Sequence, residues 1–197
     1  MDQGSNLHEI ERKWVVPQDL FNKVLMERRS SVVTYKSIEQ AYLAVNDMGE
    51  DRYESRVMST SNYGDDEPYK FQHDTKIGSG VKRLEITHEI SRVEFEKLRS
   101  NCKTSLKKFY LKLLINGYIV EISEVDSGDF YYMEIEFEST RKAKEFDLIR
   151  LEDSLICDYV NDGSIYEVTD DPSWSMSSKY LQKVEKLKEV GGNGTKN

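Results

Sequence analysis

The segment Glu9-Ile10-Glu11-Arg12-Lys13-Trp14 decides how this chain folds. Read as a strand, its side chains alternate between two faces. Glu9, Glu11 and Lys13 share one face, and Ile10, Arg12 and Trp14 share the other. Same-face neighbours lie roughly 6.6 Å apart, from about 3.3 Å of rise per residue. Two carboxylates at that spacing can hold a divalent cation between them, and a lysine beyond them suits a phosphate oxygen. Glutamate has low strand propensity, and such a local conflict marks functional sites. An isolated segment of this kind would be an ordinary strand with one wet face. Its weight depends on recurrence.

Working outward, a strand over Leu7–Val16 is followed by Pro17, which opens a helix over Gln18–Arg28. Strands are expected over Tyr35–Val45, Arg52–Met58, Tyr69–Ile77, Lys82–Ile90, Ser105–Ile115, Tyr118–Val125 and Phe130–Glu138. Asn116-Gly117 is a strong two-residue hairpin signal. Ser91, with Glu94 three residues on, has the form of a capping box for a helix ending near Ser100. Ser139 or Thr140 starts another helix, reaching about Phe146. The stretch Leu148–Ser164 has no clear pattern and reads as a lid or an insertion. A short strand over Tyr166–Thr169 precedes a final helix capped by Ser177 or Ser178 and running to about Val190. One domain over residues 1–190 is expected, with a disordered tail over 191–197.

Several strands repeat the opening pattern. One supplies Glu121 and another Glu134 with Glu136; Arg56, Lys76 and Lys108 come from three more, and one strand carries both Arg83 and Glu85. An open sheet with a solvated face could look like this. A closed barrel with a charged interior accounts better for the mixture of signs and removes exposed strand edges. Cations from several strands suit the spread charge of phosphates. Carboxylates suit magnesium or manganese, which prefer oxygen ligands.

At 197 residues the chain can bury a full core, and its formal charge of −8 argues against general nucleic-acid or anionic-membrane binding. Cys102 and Cys157 form no metal-ligand spacing and read as free thiols. The start lacks the apolar core of a secretory signal, and no stretch is apolar enough to span a bilayer, so a cytoplasmic protein is expected. His8, His73 and His88 have no partners by spacing. Trp14, Tyr42, Phe109 and Phe137 read as core, while Trp174 sits in a loop. The stripe Tyr180, Leu181, Val184 and Leu187 on the final helix would pack on the barrel and leaves room for a homodimer contact.

EIERKW at Glu9–Trp14 resembles the ExExK signature of the CYTH domain, the triphosphate tunnel metalloenzymes. Further segments resemble that family in order. They are Gln40-Ala41-Tyr42-Leu43, Arg56, Thr75-Lys76, Arg83-Leu84-Glu85, Glu121, Glu134–Glu138 and the closing segment Glu167–Leu181. Met58 departs from the pattern, standing where an arginine partner of Arg56 is expected, and Lys108 replaces what is often an arginine. The resemblance implies an α+β fold: an eight-stranded antiparallel closed β-barrel with helices packed outside. It also implies a divalent-metal-dependent triphosphatase acting on inorganic triphosphate or on a nucleoside or thiamine triphosphate. The metal candidates it names are Glu9, Glu11, Glu85, Glu121, Glu134 and Glu136, for Mg2+ or Mn2+. The substrate-binding candidates are Lys13, Arg52, Arg56, Lys76, Arg83, Lys108 and Lys179, with Glu9, Glu11 and Lys13 at the catalytic centre. Two alternatives stay open: a cyclase of this family making cyclic AMP and pyrophosphate from ATP, and, from a different class, a non-catalytic binder of polyphosphate or nucleotides.

Overall fold

The computed structural model describes residues 5–27, 32–46 and 52–192. Eight long strands form the frame: β1 (Ser5–Val15), β2 (Val32–Asn46), β3 (Tyr53–Asn62), β4 (Lys70–Ile77), β5 (Lys82–Glu89), β6 (Leu106–Ile115), β7 (Tyr118–Val125) and β8 (Phe130–Glu136). They pair antiparallel in the order β5-β4-β3-β2-β6-β7-β8-β1, and β1 returns to pair with β5. The sheet is therefore a closed barrel. Closure runs through the opening segment. Residues Ser5 to Ile10 pair with β5, and Glu11 to Val15 pair with β8. A two-residue strand β9 (Tyr166–Glu167) takes up the free edge beside Trp14 and Val15.

The helices are α1 (Gln18–Glu27), α2 (Arg92–Arg99), α3 (Thr140–Glu145), α4 (Ser154–Asn161) and α5 (Met176–Gly192). The local signals explain most of them. Ser91 and Glu94 form the expected capping box of α2, which ends on Ser100. Asn116 and Gly117 both take positive φ, 46° and 81°, which the tight β6–β7 turn demands.

Outward-facing apolar residues bind these helices to the barrel. Leu20, Phe21 and Val24 of α1 and Ile156 of α4 share a buried cluster with Leu111, Leu113, Val120, Ile122, Met133, Ile135 and Trp14. Phe95 of α2 packs on Ala41 and Val57. Each such side chain contributes about 1.5–3 kcal/mol relative to leaving it in water. Met176, Tyr180 and Val184 of α5 pack against Tyr42, Leu106, Val125 and Tyr132, and this closes one end of the barrel.

Several boundaries differ from the sequence expectation. The stretch Leu148–Ser164 is neither a lid nor a loose insertion. A 3-10 turn over Leu148–Leu151 and helix α4 pack into the main core through the buried residues Leu148, Leu151 and Ile156. Asp153 caps α4, and Leu155, Ile156, Tyr159 and Val160 recur there at helical spacing, but the helix is only eight residues long, so its local signal is short. Helix α5 starts at Met176, because Ser175 rather than Ser177 or Ser178 accepts a hydrogen bond from a first-turn N–H, that of Ser178. It runs to Gly192, two residues into the expected tail; residues 193–197 lie outside the described residues. The expected last residue of the first helix, Arg28, lies outside them as well. Strand β8 stops at Glu136, and Glu138 pairs instead with Lys142 across the first turn of α3. Among the described residues no helix is long and apolar enough to cross a membrane.

Candidate active site

The barrel interior is a cavity of about 260 Å³. Glu9, Glu11 and Lys13 of β1 face into it, as do Arg56, Lys76, Arg83, Glu85, Lys108, Glu121, Glu134 and Glu136. Seven strands thus bring eleven of the residues singled out by sequence into one chamber. The remaining two lie elsewhere. Arg52 lines an adjoining crevice, where it donates to Ser175 and, at 2.9 Å, to Ser177 at the start of α5. The Lys179 ammonium stands 4.0 Å from the Trp174 ring and 5.2 Å from that of Phe130, outside the chamber lining.

Sequence reasoning missed several lining residues. Glu54, Asp74, Lys112, Gln40 and Tyr132 all face the cavity. Period-two alternation from Arg56, Lys76, Lys108 and Glu134 points to Glu54, Asp74, Lys112 and Tyr132, so the signal was present.

Inside the chamber each cation is met by carboxylates. Lys13 lies 2.7 Å from Glu134. Lys76 lies 2.6 Å from Glu9 and 3.6 Å from Glu85. Arg83 pairs with Glu9 at 3.0 Å and with Glu11. Lys108 pairs with Glu121 and lies 3.7 Å from Glu134. Arg56 donates to Asp74 at 3.3 Å through Nη2 and at 3.4 Å through Nε. Lys112 reaches Glu121 at 3.3 Å. The Lys13 and Lys108 ammonium groups also stand 4.6 and 5.2 Å from the Tyr132 ring.

These surroundings set the protonation states. Burial pushes the Glu9 carboxyl up, but the Lys76 and Arg83 charges outweigh it and hold its pKa at about 2. Burial likewise opposes ionisation of Glu134, and Lys13 and Lys108 overcome it, so its pKa is lowered. Glu85 and Glu136 behave oppositely. Burial raises both, and Glu9 adds to it in each case, with Asp74 also acting on Glu85 and Glu11 and Glu121 on Glu136. Lys108 is held protonated, because Glu121, Tyr132 and Glu134 outweigh its burial.

The chamber is unbalanced in charge and in hydrogen bonding, and the charge imbalance has two parts. It is lined by eight carboxylates and six basic side chains. Two pairs of carboxylates also stand directly opposite across strands, Glu11 with Glu136 and Glu121 with Glu134. Directly opposed like charges are destabilising, with Cβ atoms roughly 4.5–5.5 Å apart. A divalent cation would relieve both conditions, and the all-oxygen donor set is the kind that hard cations take. The residues therefore fit a hard divalent cation. Among the described residues no three carboxylate or histidine groups already converge as a metal cage, since lysines and arginines engage the acids. The second imbalance concerns hydrogen bonds. Gln40 Nε2 and Arg83 Nε are buried donors with no acceptor. Unused donors beside cations are what an oxyanion needs.

The fold is that of the CYTH domain. The solved structures it resembles include HpAC1 from Hippeastrum, described as an adenylyl cyclase candidate that reveals a dominant triphosphatase activity. That likeness has a TM-score of 0.61 and 13% identity, over 89% of this chain and 96% of that one. A conserved hypothetical protein from Pyrococcus furiosus matches with a TM-score of 0.53 and 19% identity, over 83% of this chain and 95% of its own. The PH1819 protein of Pyrococcus horikoshii matches with a TM-score of 0.52 and 20% identity, over 70% and 82%. No family model and no curated protein matches the chain by sequence.

Proposed function

We propose that this chain is a working CYTH-type triphosphatase that hydrolyses a triphosphate inside the barrel with the help of a divalent metal. The observation that carries the reading is the convergence, in one enclosed chamber, of six basic side chains, eight carboxylates and two unused buried donors. Cations alone would serve a passive polyanion binder. Eight acids weaken anion binding, and a divalent cation held among them would offset that, which argues against the non-catalytic alternative.

Glu9, Glu11, Glu134 and Glu136 are the proposed metal arms, with Glu85 and Glu121 beside them. A bound magnesium or manganese would neutralise phosphate charge and lower the pKa of a coordinated water. The chain's own groups do the remaining work. Lys76, Arg83, Arg56 and Lys108 bind phosphate oxygens and stabilise charge as it shifts toward the leaving group. Their present carboxylate partners hold the side chains inward before substrate arrives, so little reorganisation is needed. Lys13, flanked by Glu134 and the Tyr132 ring, completes the cationic wall. The burial of these side chains within the barrel wall strengthens their interactions.

The test is phosphate release from inorganic triphosphate, ATP and thiamine triphosphate with magnesium or manganese. The same reactions are analysed for cyclic AMP and pyrophosphate. Phosphate is the expected product. Cyclic AMP in its place would make the chain a cyclase, and no turnover of any substrate would refute the enzyme reading.

A further inference from the structure

Two buried polar atoms without a hydrogen-bond partner belong to side chains that hold the same cation. Arg56 of β3 is flanked by β2 and β4. From β4, Asp74 Oδ2 accepts from Arg56 Nη2 at 3.3 Å and from its Nε at 3.4 Å. From β2, Gln40 Oε1 accepts from Arg56 Nη1 at 3.5 Å. Each of the two flanking side chains has one further polar atom, and both of those are idle: Gln40 Nε2, a donor, and Asp74 Oδ1, an acceptor. Gln40 is 2% and Asp74 1% exposed, and all three residues line the chamber.

One idle donor and one idle acceptor beside a cation make a selective combination. Arg56 and Gln40 Nε2 suit ionised oxygens. Asp74 Oδ1 does not, because an anionic oxygen brought up to it is repelled. Left alone, it is a buried acceptor without a donor, which is costly and calls for an explanation. A phosphate with one protonated oxygen satisfies all three groups. Its ionised oxygens accept from Arg56 and Gln40, and its P–OH donates to Asp74. The second proton of a phosphate monoester leaves with a pKa of about 6. The free end of a phosphate chain, or orthophosphate, therefore presents a P–OH near neutral pH. An internal phosphate has no such oxygen. Sulfate has the same tetrahedral shape and no proton to donate.

The position fits a substrate contact better than a metal arm. Around the closed sheet β3 is four strands from β8 in either direction. Glu134 and Glu136 of β8 therefore line the facing wall, across the chamber from Arg56 and its two partners.

Resting on the triphosphatase reading, we propose that Gln40, Arg56 and Asp74 form a subsite for a terminal phosphate in its protonated form, with Asp74 Oδ1 accepting from the P–OH and Gln40 Nε2 and Arg56 donating to the ionised oxygens. The subsite reads the end of a phosphate chain by its proton as well as by its charge. A buried acceptor left unpaired is what lets such a site reject the analogue that lacks the donor. Asp74 also positions Arg56 through its other oxygen, so one carboxylate aims the cation and selects the ligand.

The test is titration calorimetry of the full chain at pH 7 in magnesium, with orthophosphate and sulfate as probes. Orthophosphate should bind at least tenfold more tightly. Asp74→Asn should weaken orthophosphate at least tenfold and leave sulfate within threefold, which removes the preference. Gln40→Leu should weaken both anions threefold or more and alike, since either can use that donor. Far-UV circular dichroism checks that the variants are folded, and the wild-type ratio decides the question if Asp74→Asn is not. Equal affinity of the wild type for the two anions, or binding of neither, overturns the subsite. Equal losses of both anions in Asp74→Asn overturn it too, because Asp74 would then act only as a support for Arg56. Phosphate release from inorganic triphosphate is read separately. Selective binding without turnover overturns the triphosphatase reading alone, and turnover without selectivity overturns the subsite alone.

Discussion

Replacing Glu136 by glutamine should stabilise the metal-free protein and weaken its response to metal. Glu136 stands directly opposite Glu11 across β1 and β8. Two unit charges about 5 Å apart repel by about 0.8 kcal/mol in water and about 3 kcal/mol at an effective dielectric of 20. Glu136 lies at the exposed end of its strand, so screening favours the lower part of that range. Its pKa is raised by burial, and the Glu9, Glu11 and Glu121 charges add to this against the opposing attraction of Lys112, which agrees in sign. A gain of about 1 kcal/mol is expected in EDTA at pH 7, which moves the melting temperature of a chain this size up by about 2–4 °C. Metal binding acts in the other direction. A ligand at one hundred times its Kd stabilises by about 2.7 kcal/mol, and losing one carboxylate arm should raise the manganese concentration needed for half of that shift at least tenfold. The assay is differential scanning fluorimetry of both proteins, in EDTA and across a manganese titration. A variant that melts lower than wild type in EDTA, with an unchanged metal response, would show that Glu136 is a structural ion-pair member. It would remove the metal platform from the reasoning.

Lys108→Met should cost about 3–5 kcal/mol in urea unfolding, because it strips Glu121 and Glu134 of a buried partner, and should lower kcat/KM at least a hundredfold. Arg12→Ala tests the outer wall. Arg12 binds Glu167 and the carbonyls of Ala143 and Phe146, so its loss should cost about 2–3 kcal/mol with turnover little changed. Burial raises the Glu167 carboxyl, but hydrogen bonds from Arg12 and Thr169 leave it below its ordinary 4.5. That contribution is complete above about pH 4.5 and is lost as pH falls through the lower folded value, so the gap between wild type and Arg12→Ala should narrow from pH 7 to pH 3. A gap that widened in acid would contradict the pairing. Gly80→Ala should lower the melting temperature by several degrees, since φ is +70° there and an added Cβ would meet Asp170 Oδ1 at 2.9 Å. An unchanged melting temperature would mean that the contact yields freely.

Much of this protein was legible in the sequence because strand alternation is local. Glu9, Glu11 and Lys13 must share a face wherever that strand lies, and so must Lys76 and Asp74 or Lys108 and Lys112. The capping box at Ser91 and the Asn116-Gly117 turn are local for the same reason. Over Leu148–Ser164 the Asp153 cap and the spacing of Leu155, Ile156, Tyr159 and Val160 mark a helix of eight residues, but which distant strands bury its apolar face is not a local property.

The sequence by itself therefore determined the strands, the charged face of each one and the stock of acids and bases. Only the tertiary structure decided which of them meet. That Glu11 faces Glu136, that Arg56 is held by Asp74 and that Arg52 is taken up by α5 all follow from barrel register. Register depends on pairings between residues far apart in the chain, and a one-residue slip would turn every side chain to the other face. The same closure left one end of the barrel sealed by α5. No local pattern encodes that seal, because it arises from where a distant helix comes to rest.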